Sequence, residues 1–100
     1  MKTIICYDLH NVTDSSVYIK IREDIEKAYP KSVYILNTTY IIYSSDEIDS
    51  IARKVKSILS KYVHENNFEY FISKISDYRG WLEKSKWNLI DSKLKSSLYS

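Results

Sequence analysis

One hundred residues, 44% of them hydrophobic, with a net charge of +2, make one domain with a real but thin core. A single Gly, a single Pro and a single Cys exclude a low-complexity chain, a disulfide framework and a cysteine zinc pattern. No apolar stretch approaches the roughly 20 residues that span a bilayer. The N-terminus reads directly as a strand without the shape of a signal peptide, so we expect a cytoplasmic protein with no membrane partner.

The charge is uneven. Residues 1–50 carry 5 basic and 8 acidic side chains, net −3, whereas residues 51–100 carry 10 basic and 5 acidic, net +5. A basic flank beside an acidic strand end suits a phosphate backbone and a metal, and equally an ordinary solvated pair of helices. Ten tyrosines fall mostly at positions that read as core or sheet. Ile, Lys, Asn and Ser are abundant too, so the enrichment reads mainly as compositional drift.

Thr3-Ile4-Ile5-Cys6-Tyr7 reads as a strand that stops at Asp8. The uncharged apolar run predicts a central strand covered on both faces. Cys6 within it is a buried structural thiol, consistent with a reducing compartment. The following Leu9–Ser16 stretch is polar and loop-like. Asp14-Ser15-Ser16 offers an N-cap, and Tyr18, Ile21, Ile25 and Ala28/Tyr29 form the stripe of a helix over 16–29, stopped by Pro30.

Residues 32–44 are β-rich on both sides of Asn37-Thr38-Thr39. They predict strands at 33–36 and 39–44, joined by a tight turn or a bend; the lack of Gly argues against a two-residue type I′ hairpin. Ser45-Asp46-Glu47 caps a second helix over 46–63, striped by Ile48, Ile51, Val55, Ile58, Leu59 and Tyr62. His64–Asn67 is a loop. Phe68–Ile75 predicts a fourth strand and 81–98 a C-terminal helix, with Trp87, Ile90, Leu94 and Leu98 on one face.

The order strand, helix, strand, strand, helix, strand predicts an α+β, ferredoxin-like βαββαβ domain with a four-stranded antiparallel sheet and strands one and three central. The core covers 1–78, and 79–100 is a C-terminal helical extension. The bare sheet face must be hidden by that helix or by a second subunit, so a homodimer is expected.

Several short motifs carry a family resemblance. Ile5-Cys6-Tyr7-Asp8-Leu9 resembles the apolar-Tyr-Asp-Leu/Ile ending of strand one in small CRISPR-associated proteins of the Cas-two type. Leu36-Asn37-Thr38-Thr39-Tyr40-Ile41-Ile42 resembles their Leu-x-Ser/Thr-aromatic-apolar run. Gly80-Trp81-Leu82 with Trp87 resembles the tail of SinR-like members, and VapD-type ribonucleases are more distant relatives of the set. The resemblance implies a sheet-to-sheet homodimer in which the two Asp8 carboxylates face each other and bind a divalent metal. It implies metal-dependent hydrolysis of phosphodiester bonds in RNA or double-stranded DNA, or, in CRISPR systems, a DNA-bridging adaptor for an integrase.

Chemistry supports Asp8 as a metal ligand. Mg²⁺ takes one or two carboxylates plus water and substrate phosphate, and Mn²⁺ would serve alike. One Asp per subunit is a thin ligand set, so a symmetric pair is needed. His10 is the candidate general base, and Asp14 could back the site with a further carboxylate. Each has a plainer structural alternative: Asp8 a turn former, His10 solvated, Asp14 an N-cap, His64 uninvolved, Trp81 and Trp87 core or dimer-face anchors. After strand one the only near cations are Lys20 and Arg22, within a helix. Two classes follow: a metal-dependent endonuclease, or a non-catalytic dimeric adaptor, phage or mobile-element protein that binds a host protein or nucleotide.

Overall fold

The computed structural model describes residues 1–76 and 79–94. Strand β1 spans Lys2–Leu9, helix α1 Ser15–Ala28, β2 Ser32–Leu36, β3 Thr39–Tyr43, α2 Ile48–Tyr62, β4 Phe68–Lys74 and α3 Lys84–Lys93, with a 3-10 turn at Glu65–Asn67. The strands form one antiparallel sheet in the order β2-β3-β1-β4, an α+β architecture compatible with the ferredoxin-like plan.

β1 pairs along both sides, with β3 from Lys2↔Tyr43 to Cys6↔Thr39 and with β4 from Thr3↔Lys74 to Leu9↔Phe68. Pairing with β4 carries the strand two residues past Tyr7, so Asp8 lies inside β1 instead of ending it. Burial along β1 alternates. Thr3, Ile5, Tyr7 and Leu9 are buried, Ile4 and Cys6 are half-buried, and Asp8 is exposed. The expected cover on both faces is therefore complete on one face only, and Cys6 is half-buried instead of sealed.

The alternation of period two sends one set of side chains to the helices. Ile5, Tyr7, Tyr40 and Ile42 meet Ile21 and Ile25 of α1 and Ile51, Val55 and Leu59 of α2 in the main core. Both helices form where the stripe of three and four predicts. The Asp14 carboxylate accepts from the Ser16 amide at 2.9 Å, satisfying one orphan N–H of the first turn of α1. α2 starts at Ile48, two residues later than expected, because Ser44 Oγ accepts from the Asp46 amide at 3.0 Å and holds that segment as a turn.

β2 and β3 form a tight hairpin closed by Asn37 and Thr38. Thr38 takes the left-handed region at φ 58°, an uncommon state for a β-branched residue. Its carbonyl accepts from the Tyr7 amide at 3.1 Å, which fixes the hairpin to the central strand. The absence of Gly therefore did not prevent a two-residue connection.

α3 packs on the sheet face opposite α1 and α2, where Ile90 and Leu94 join Val33, Ile35 and Ile41 in a second, smaller core. It starts at Lys84, three residues later than the predicted 81, with the Glu83 carbonyl accepting from the Lys86 amide at 2.9 Å. Trp81 precedes the helix and is 98% exposed, so it anchors no core, whereas Trp87 packs against the second core. Leu98, expected on the α3 stripe, lies outside the described residues, as does Tyr78. The helix covers the β2/β3 half of its face. On the β1/β4 half Phe71, paired with Cys6, stays 66% exposed. Among the described residues no helix is long and apolar enough to cross a membrane.

Candidate metal centre

Asp8 is placed by rigid strand pairing. It is directly across from Glu69 of β4, so both carboxylates rise from the same sheet face at the same end. Two like charges directly opposite one another repel. His10 follows in the loop and is pinned there by its own backbone, whose amide donates to the Asn67 carbonyl at 2.7 Å. Its ring then sits between the acids, with Nε2 2.8 Å from Glu69 Oε1 and 3.9 Å from Asp8 Oδ2. Asn11 Nδ2 donates to Asn67 Oδ1 at 3.4 Å alongside, with Asn11 in the left-handed region at φ 59°. Asn tolerates that conformation better than most residues.

One ligand atom from each of Asp8, His10 and Glu69 lies within 4.8 Å of the others. The two carboxylates fit a hard divalent cation such as Mg²⁺ or Mn²⁺, with the imidazole hydrogen-bonded to Glu69 beside them. The side chains are 73%, 44% and 77% exposed for Asp8, His10 and Glu69, which leaves room for water and a phosphate oxygen to complete a coordination sphere. A cation here would cancel the repulsion that the β1/β4 register builds in. An open cavity of about 320 Å³ lies beside it, lined by Cys6, Tyr7, Asp8, Glu69, Tyr70 and Phe71.

Asp8 and His10, the two residues singled out from the sequence, are brought together. Glu69, 59 residues from His10, was missed. It became a neighbour only through the antiparallel register of β1 and β4, which no local motif records. The other candidates go elsewhere. Asp14 caps α1, and the amide of Ser16 holds its carboxyl below the usual range. His64 caps the 3-10 turn, its Nδ1 accepting from the Asn66 amide at 3.2 Å. Arg22 bonds Glu26 at 3.2 Å and lies over the Tyr34 ring. Tyr7, the partner of Asp8 in the strand-one motif, points into the main core. Burial first, then the nearby Tyr34, pushes its phenol up to about 12, so it stays neutral and takes no part in the centre.

No family model, curated protein or solved structure matches the chain.

Proposed function

We propose that the chain is a Cas-two-like, metal-dependent endonuclease that cleaves phosphodiester bonds in RNA or DNA, with its centre at Asp8, His10 and Glu69. The observation that carries this reading is the convergence of the three side chains at one end of a rigid sheet. Asp8 and Glu69 would hold Mg²⁺ or Mn²⁺. A cation held there would polarise the phosphoryl oxygens and lower the pKa of a bound water. His10 removes the proton: in the tautomer that donates from Nε2 to Glu69, Nδ1 is the acceptor.

The fold in this reading is ferredoxin-like and the working unit a cytoplasmic homodimer joined through the open β1/β4 face. Phe71 supplies the exposed apolar contact there, and the two Asp8 carboxylates approach one another across the interface. The same apolar surface supports a second reading, a dimeric adaptor without catalysis that binds a protein or nucleic acid.

Labelled RNA and double-stranded DNA, incubated with and without Mg²⁺ or Mn²⁺, separate the two. The nuclease reading expects metal-dependent cleavage by the wild type that is lost in an Asp8→Ala variant with an unchanged melting curve and unchanged sedimentation. Cleavage that survives the substitution, or no cleavage of either substrate, returns the adaptor reading.

A further inference from the structure

The outer edge of β2 faces a groove formed by two cavities that share Lys86. One, of about 330 Å³, lies between α1 and α3 and is lined by Arg22, Tyr34, Lys86 and Lys93 among others. The second, of about 620 Å³, lies at the start of α3 and includes Leu36, Trp81, Lys84 and Trp87. Four cations and two acids, Glu26 and Glu83, line the pair. Glu26 is already engaged by Arg22.

Lys86, in the middle of the groove, is held by neutral groups, whereas Arg22 is paired with Glu26. Lys86 Nζ donates to the Ile35 carbonyl at 2.6 Å, a neutral acceptor, and lies 5.8 Å from the Tyr34 ring. Arg22 lies 4.3 Å over the same ring. At the far end Trp81 holds its indole 98% in solvent, where the fold gains nothing from it. A flat exposed aromatic at one end of a cationic groove is the arrangement that binds unpaired bases and tracks their phosphates. An acidic peptide fits less well. The usual way to seat one on an edge strand is to add it as a further strand, and Lys86 already occupies the Ile35 carbonyl.

We propose that this groove binds single-stranded nucleic acid, with a base stacked on Trp81 and phosphates along Lys84, Lys86, Arg22 and Lys93. β1 and β2 run parallel on either side of antiparallel β3, so Leu36 ends β2 at the same end of the sheet as Asp8. A strand leaving the groove past Trp81 emerges at the end of the sheet that carries the candidate metal centre. Binding itself needs neither that centre nor its metal.

The test is fluorescence anisotropy of a labelled short homopyrimidine strand, as DNA and as RNA, with the full chain in chelator. Chelation keeps failure of the nuclease reading apart from failure of this one. We expect saturable binding, tighter than to a duplex of the same length. Trp81→Ala weakens it about tenfold, the scale of one lost base stack, without moving the thermal melt. Lys84→Gln with Lys93→Gln lowers the salt slope of log K by about 1.4, the release expected for two phosphate contacts on a single strand. Absence of binding, unchanged affinity in Trp81→Ala, equal affinity for duplex, or equal affinity for a polyglutamate peptide each overturns the proposal.

Discussion

The two faces of the sheet are built differently. On the helix side, Ile5, Ile21, Ile25, Ile42, Ile51, Val55 and Leu59 are sealed from solvent, drawn from both helices and both central strands. On the other side, Val33, Ile35, Ile41, Ile90 and Leu94 make a core under one short helix, while the β1/β4 half carries exposed Phe71 and, at its end, the acidic pair. The first face holds the chain folded. The second leaves exposed an open apolar half-sheet and a charged end, and the cationic groove lies at the β2 edge between α1 of the first face and α3 of the second. Sealed core and open surface thereby fall on opposite sides of the same strands, and a residue's place in the strand alternation decides which one it joins.

That division is sharpest where the main core is cut. Ile5→Ala removes a fully buried side chain from the central strand and is expected to cost about 3–4 kcal/mol, read as a lower urea midpoint. Phe71→Ser, on the same pair of strands but facing out, is expected to change monomer stability by no more than about 0.5 kcal/mol. Equal losses for the two variants would break the comparison.

A smaller effect is expected in the second core. Ile90→Ala should cost about 2 kcal/mol, at the low end for a buried isoleucine because a short helix next to solvent can collapse onto the gap. Intrinsic fluorescence of Trp87, which packs against this core, should report α3 loosening before circular dichroism reports loss of α1 and α2. Coincident transitions by the two probes would mean that the faces unfold as one unit.

The main core also contains an imperfection. The Tyr29 hydroxyl is buried with no hydrogen-bond partner among the described residues, and burial pushes its phenol up to about 12. Tyr29→Phe removes the orphaned group and is expected to stabilise the chain by about 1 kcal/mol, seen as a higher urea midpoint.

The smallest effect lies at the surface between α1 and α2. Asp24 accepts from Lys61 Nζ at 2.8 Å and from the Tyr62 hydroxyl at 2.7 Å, and these bonds, Lys61 first, hold its carboxyl below the usual range. A carboxylate depressed in the folded state contributes stability above its unfolded pKa of about 3.9 and loses it as pH falls through the folded value. The wild type should therefore lose more stability on acidification below about pH 4 than Asp24→Asn does. Parallel pH profiles of the two proteins would show that the helix-to-helix contact contributes nothing.

Much of this was readable in the residues themselves. The helical stripes of Ile21 and Ile25 and of Ile51, Val55 and Leu59, the Asp14 cap, the Pro30 stop and the four strands all follow from local periodicity and capping chemistry, which operate within a few residues. Asp8 and His10 were legible for the same reason: two residues apart, where the apolar run gives way to the polar stretch. What tertiary structure alone decided has a common cause, a partner distant in sequence. Asp8 entered β1 because β4 paired past Tyr7. Glu69 joined Asp8 and His10 because an antiparallel register, set by which faces bury their apolar residues, placed it across the sheet from a residue near the other end of the chain.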